Sequence, residues 1–219
     1  MNNDQIKLFT EEYDFIEKDD CDFLIKWIDN NFENENLFRK RIGVAHGEGA
    51  AYRAVFPDEK PATLFKDLEI WTNKYSEKFK KLVKENYEIE NPFFYGVSIT
   101  KLTEGIQLRI HKDIHNTYSN LTYSCVAVLN DDYEGGEMVF VDNEIDLVRD
   151  QEMQYFPLPK EWMDSLKVTP KSGGAVLFKA DQLHGGEKIT SGNRYAVIFW
   201  IVAEEENKFK GFDSDFVHK

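Results

Sequence analysis

At Pro92 the chain changes period, and this constrains its fold more than any other feature of the sequence. Before it, apolar residues recur every three or four positions; after it, they fall into short β-branched and aromatic runs divided by turn residues. Leu64, Leu68, Trp71, Tyr75, Phe79 and Leu82 form one stripe of a long amphipathic helix, predicted from Thr63 and ending before Asn91-Pro92. An earlier helix is predicted with Asp19 and Asp20 at its cap and Phe23, Leu24, Trp27 and Ile28 on its apolar face. Residues 41–61, rich in glycine and small residues and without a clean period, read as a long loop with the length of a lid.

Six strands are predicted after Pro92, over 93–102, 106–111, 123–130, 137–141, 175–179 and 195–202. The breaks between them, Thr103-Glu104-Gly105, Asn130 to Gly136, Ser172-Gly173-Gly174 and Ser191-Gly192-Asn193, carry the residues that turns require. The expectation is an α+β fold with a mainly β core: a jelly-roll-like double sheet, braced on one face by the N-terminal helices. A charged, partly aromatic insertion over 143–166 interrupts the pattern, and the segment after Ala203 is polar. We read residues 1–219 as one domain. Within it, 1–91 form a helical support region and loop, 92–203 the jelly-roll core and 204–219 a polar tail.

A hydrophobic content of 42% over 219 residues is enough for one well-buried domain. The net charge of -13 excludes a phosphate-tracking nucleic-acid binder, which needs a basic face to displace counterions. No apolar run approaches the length that spans a bilayer, and the first residues lack a signal peptide's basic and apolar segments. The expectation is a cytoplasmic monomer. Cys21 and Cys125 lie far apart without a CxxC pair, so any metal must be held by histidine and carboxylate.

His111 and Asp113 are two residues apart, so on a strand they project from one face and can reach one ion together. His184 ends a distant strand that antiparallel pairing can return beside them. Two imidazoles and one carboxylate leave open positions of the kind iron(II) oxygenases use. Arg194 opens the apolar run RYAVIFWIV and would aim a guanidinium into the interior, where it needs an anionic partner that its planar fork matches, a carboxylate.

These residues, with Gly105, VLNDDYEGGEMVF (128–140), VTPKSGGAVLF (168–178) and GNRYAVIFWIV (192–202), resemble the prolyl 4-hydroxylase-like branch of the 2-oxoglutarate and iron(II) dependent dioxygenases. The likeness covers about 95–203. It implies a double-stranded β-helix of the jelly-roll and cupin kind, with His111, Asp113 and His184 binding iron and Arg194 pairing with the C5 carboxylate of 2-oxoglutarate. It also implies oxygen as a reactant, ascorbate in a supporting role, and Trp200 lining the cosubstrate end of the pocket. Gly135 and Gly136 match a pair of family glycines and read as a turn or bulge.

The chain departs from the family where hydroxyl partners of the arginine are usual: Leu102, Val128 and Met138 stand there. Ser124, which shares a strand face with Val126 and Val128, is the candidate replacement, and Tyr95 a weaker one. His115 reads as a solvated turn histidine, with an extension towards the substrate entrance as the alternative, and His46 and His218 receive no role. The implied activity is hydroxylation of an unactivated C–H bond with release of succinate and CO2, most readily on a prolyl residue of a peptide or protein. A free amino acid or small metabolite is the alternative substrate, and a jelly-roll binding module without oxygenase activity the non-enzymatic alternative.

Overall fold

A computed structural model describes residues 9–40, 44–57, 66–87, 89–114, 121–141 and 166–202. Both predicted helices are present, as α1 (Lys18–Asn31) and α2 (Lys66–Tyr87). The caps differ from expectation: Glu17 holds the N-cap of α1 without a side-chain bond, and Asp19 and Asp20 lie in its first turn. Asp20 instead accepts hydrogen bonds from Tyr75 Oη at 2.5 Å and Lys74 Nζ at 2.8 Å, tying α1 to α2. Phe23 is also displaced from the expected face, because Cys21, Leu24 and Ile28 define the buried stripe and leave Phe23 40% exposed beside it.

The strands, numbered in chain order, are β1 (Phe9–Glu12), β2 (Ala45–Gly47), β3 (Ala51–Pro57), β4 (Phe93–Thr103), β5 (Ile106–His111), β6 (Tyr123–Val128), β7 (Glu134–Gly135), β8 (Met138–Phe140), β9 (Lys167–Val168), β10 (Ala175–Lys179), β11 (His184–Gly186), β12 (Ile189–Ser191) and β13 (Asn193–Val202). All pair antiparallel. The major sheet runs β1-β10-β6-β13-β4-β3, the minor sheet β2-β5-β11-β8-β9, and β12-β7 form a separate ribbon. This is a double-stranded β-helix.

Six of these strands are the predicted ones. Residues 45–47 and 51–57 are not a loop, however. They form edge strands of the two sheets, with β3 on β4 in register Ala51↔Leu102 through Pro57↔Gly96 and β2 on β5. Alternation is blurred because β3 is covered on both sides: Tyr52 meets Phe32 edge-on at 4.9 Å, while Arg53 faces the other way. β1 likewise carries the N-terminal region into the major sheet. Strands β7, β9, β11 and β12, of two or three residues, are too short to show a period. Residues 41–43, 58–61, 142–165 and 204–219, including most of the insertion and the whole tail, lie outside the described residues.

Residue parity then decides what each face of the major sheet does. Val97, Ile99, Cys125, Ala127, Leu177, Val197 and Phe199 turn outward to α1 and α2 in the largest core cluster, where Trp71 stacks on Phe199 at 5.9 Å and 19°. Their neighbours one position along turn inward to the minor sheet, where Val126, Val176, Phe178 and Ala196 pack with Met138 and Phe140. The inward face also carries the polar residues described next. No helix of the described residues is long and apolar enough to cross a membrane.

Candidate metal centre and cosubstrate pocket

Antiparallel register sets His184 of β11 directly opposite His111 of β5, with ring centroids 4.3 Å apart. Asp113 follows β5, fixed by its backbone N–H to the Ala180 carbonyl at 2.9 Å. Asp113 Oδ1 lies 3.7 Å from His111 Nε2 and 3.9 Å from His184 Nε2, and the three ligand atoms fall within 4.8 Å of one another. Atoms bound about 2.1 Å from one divalent ion are at most about 4.2 Å apart, so both imidazole–carboxylate separations suit a shared ion.

Each ring is turned to offer Nε2. His111 Nδ1 stands 2.7 Å from the Arg109 carbonyl and His184 Nδ1 2.9 Å from the Gln182 carbonyl. A carbonyl only accepts, so the proton sits on Nδ1 and the Nε2 lone pair points to the ligand cluster. Burial, then the neighbouring His184, pushes His111 down to about 4, with Arg53 adding a smaller push the same way. Burial alone would raise the Asp113 carboxyl; His184, His111 and the Ser124 hydroxyl overcome it and hold Asp113 below the usual carboxylate range. At neutral pH His111 is therefore a neutral imidazole and Asp113 a carboxylate, the protonation states a metal needs.

The pocket beside the cluster is lined by inward residues of the major sheet, among them Thr100, Arg194, Ile198 and Trp200. Arg194 is 3% exposed, and its Nε lacks a hydrogen-bond partner. Among the described residues no carboxylate pairs with it. A buried guanidinium left in that state is costly unless an anion joins it, so Arg194 fits a carboxylate ligand placed in this pocket. Gly136, with φ 70, packs beside it: a Cβ there would crowd Ile189 Cγ1 at 3.0 Å and rest in ordinary contact with Arg194 Cδ at 3.6 Å. At Gly135, with φ 73, a Cβ would strike the Lys188 carbonyl at 2.2 Å, so the glycine pair serves the turn.

Residues 97–202 match the family model of the 2OG-Fe(II) oxygenase superfamily. Those residues form a 2OG-Fe(II) oxygenase domain. The fold of the chain is similar to many solved structures, among them three in which at least 88% of each chain is covered. A Pseudomonas putida prolyl-4-hydroxylase has TM-score 0.60 and 12% identity, covering 89% of this chain and 92% of that one. The viral collagen prolyl hydroxylase of Paramecium Bursaria Chlorella virus-1, as its 2OG complex, has TM-score 0.58 and 16% identity over 91% and 97%. The Trichoplax adhaerens prolyl hydroxylase, in complex with a hypoxia inducible factor oxygen degradation domain peptide fragment, has TM-score 0.63 and 15% identity over 94% and 88%. No curated protein matches the sequence.

The oxygenase uses iron(II), 2-oxoglutarate and O2, and the donor set fits them: a His-Asp-His cluster at one part of the pocket and, within it, an arginine that no acid of the described residues pairs. The remaining expected residues separate. Ser124 donates its hydroxyl to Asp113 Oδ2 at 2.5 Å, and Trp200 Nε1 approaches the same oxygen at 3.4 Å. Ser124 is thus bonded to Asp113 in this structure, where the sequence had suggested the cosubstrate. Trp200 lines the pocket, while Tyr95 packs in a cluster with Trp200, Leu121 and Val202 and is absent from the lining.

Two lining residues were missed. Thr100 lies on β4 beside Leu102, the cross-strand partner of Arg194, and its hydroxyl donates to the Ala196 carbonyl at 3.2 Å. Arg53 of β3, opposite Thr100, sets its guanidinium 5.2 Å from the Trp200 ring centroid and donates Nε–H to Ser98 Oγ at 2.8 Å. Both could have been found by alternation: Thr100 shares a face with Leu102, and Arg53 in AYRAVF interrupts apolar residues much as Arg194 does in NRYAVIF.

Proposed function

We propose that His111, Asp113 and His184 hold iron(II), that Arg194 receives the C5 carboxylate of 2-oxoglutarate, and that the enzyme hydroxylates a prolyl residue of a peptide or protein. The observation that carries this reading is the pairing, within one pocket, of three converging ligand atoms with a buried arginine that no described acid neutralises. Iron(II) with 2-oxoglutarate supplies an oxidant able to hydroxylate an unactivated C–H bond as 2-oxoglutarate becomes succinate and CO2.

The chain's own residues orient and exclude. The Arg109 and Gln182 carbonyls fix the two imidazoles, and Ser124 with Trp200 holds Asp113 Oδ2 so that Oδ1 faces the histidines. Thr100 is the hydroxyl that shares the C5 carboxylate with Arg194. Val44, Leu108, Val126, Met138 and Ile198 provide apolar walls that suit a pyrrolidine ring and keep water from the reacting carbon. The likeness in fold to prolyl hydroxylases supports the prolyl substrate. Residues 1–219 act as a single cytoplasmic, monomeric oxygenase domain in this reading, which the two free buried thiols suit.

The test is succinate release over a panel of proline-containing peptides and free amino acids, followed by mass analysis of the products. Peptide-dependent succinate with a gain of one oxygen on proline is the expected result. Turnover confined to free amino acids or other metabolites would overturn the peptidyl-prolyl assignment.

A further inference from the structure

Strands β5 and β11, which carry the two histidines, do not run in step. His184 lies opposite His111 and Gly186 opposite Leu108, so two steps along β11 are matched by three along β5, and the register shifts between them. The extra residue is a β-bulge, with Arg109 and Ile110 together facing Gly185. On its other edge β5 stays regular: Leu108 pairs with Ala45, and Arg109 N–H donates to the Val44 carbonyl at 2.8 Å.

The bulge decides which side chain meets the metal. Regular pairing continued from Gly186↔Leu108 would set Arg109 opposite Gly185 and Ile110 opposite His184, and His111 would fall on the other face of the sheet. With the extra residue, Leu108 and His111 both line the pocket although they are three apart, and Arg109 and Ile110 between them do not. The bulge also supplies the Arg109 carbonyl that His111 Nδ1 meets at 2.7 Å. The ligand and the acceptor that orients it thus belong to one local irregularity.

Room for the bulge comes from the residue opposite. A Cβ on Gly185 would lie 2.9 Å from the Leu108 carbonyl oxygen, 3.1 Å from that of Arg109 and 2.8 Å from Ile110 Cδ1. The Ile110 methyl can turn away, but each carbonyl is part of a rigid peptide plane and moves only if the bulge moves. At Gly186, one residue on, a Cβ would meet Leu108 side-chain carbons at 3.5 Å, an ordinary contact.

We infer that Gly185 is a positioning residue of the iron site: its missing side chain admits the β5 bulge, which turns His111 towards His184 and Asp113 and fixes its ring through the Arg109 carbonyl. This rests on the iron assignment proposed above. Gly185 acts on the metal through His111 and is not itself a ligand.

The experiment uses the full-length metal-free enzyme, titrated anaerobically with iron(II) and, as a spectroscopic probe, with cobalt(II), whose visible bands report the ligands around the bound ion. Gly185→Ala should raise the iron(II) Kd by about 10- to 100-fold and change the shape of the cobalt(II) bands. Loss of stability alone would lower the urea midpoint without altering those bands. Gly186→Ala should leave both metal readouts as they are in the unmodified enzyme. Adding Ile110→Val to Gly185→Ala removes the Cδ1 contact but leaves the two carbonyls, so it should not restore the affinity. Exchanging two residues, Ile110→His with His111→Ile, tests the bulge without crowding it: an imidazole at position 110 lies outside the pocket, and iron(II) should bind more weakly still.

An unchanged iron(II) Kd in Gly185→Ala, its recovery on adding Ile110→Val, or an equal loss in Gly186→Ala overturns the inference. So does tight iron(II) binding by the exchanged variant, a result that does not depend on how Gly185→Ala folds. Failure of the unmodified enzyme to bind iron(II) would instead overturn the metal assignment on which the inference stands.

Discussion

The two faces of the major sheet are made from the same strands, yet they obey different rules. Outward positions, from Val97 and Ile99 to Phe199, are apolar and meet α1 and α2. Inward positions include Arg53, Ser98, Thr100, Ser124 and Arg194, polar groups placed where an apolar residue would be more stable. One face holds the fold together, and the other accepts local instability so that ligands can be bound. Stability and function should therefore separate by residue parity, and mutations can test that separation.

Phe199→Ala should have the largest effect. Phe199 is fully buried, stacks on Trp71 and touches the rings of Phe15, Phe79 and Phe94. Its truncation should cost about 3–5 kcal/mol of unfolding free energy, measured by urea titration, a large part of a domain's total stability. A loss below about 1 kcal/mol would mean that the helices do not depend on this face.

Arg194→Met, five positions earlier on the same strand, should do the reverse. Removing a buried cation without a described acid partner leaves the ligand-free protein as stable as before or more so. The 2-oxoglutarate Kd should nevertheless rise by about 100-fold or more, because a buried charge-assisted pair is lost. Destabilisation of the ligand-free protein comparable to that of Phe199→Ala would erase the distinction between the faces.

Much of this arrangement was legible before any coordinates. The spacing of His111 and Asp113 pointed to two side chains that converge, although Asp113 lies after β5 and not on it, and an arginine opening an apolar run pointed to a buried guanidinium. Short antiparallel pairings were not legible: β11 is three residues long and its position is set by β5 and β8, not by its own period. Nor was β3, because Tyr52 and Arg53 are both wanted, one against Phe32 and the other in the pocket. Ser124 was placed on the correct face, but its partner could not be deduced, since reach along a sheet depends on the route of Asp113 after β5.

Acid should expose the inward face first. The folded His111 titrates at about 4, below the value of about 6.5 for a free imidazole, so between these pH values the unfolded chain binds the extra proton. Asp113 is depressed as well, so it too takes up its proton more readily when unfolded. Both contributions are present at neutral pH and are lost as pH falls: the first from about 6.5 towards 4, the second below the normal carboxylate range. The metal-free enzyme should show a Tm that drops with acidification through this window, and His111→Gln should flatten the first part of the drop. An unchanged slope in that variant would assign it to other groups.

The smallest expected effects separate two hydroxyls on strands that flank β13. Ser124 donates to Asp113 Oδ2, so Ser124→Ala should leave that oxygen held by Trp200 alone and weaken iron(II) binding by about 10-fold. Its 2-oxoglutarate Kd, measured at saturating iron, should not change. Thr100 lies on the Arg194 side of the pocket and touches no ligand atom of the described cluster. Thr100→Val keeps the shape, removes one hydrogen-bond donor, and should weaken 2-oxoglutarate by about 3- to 10-fold at unchanged iron affinity. Crossing the two titrations makes the pattern specific, because general loosening of the sheet would move both constants in both variants. If Ser124→Ala instead raised the 2-oxoglutarate Kd alone, its hydroxyl would belong to the cosubstrate, and the bond to Asp113 would be a resting arrangement given up when the ligand enters.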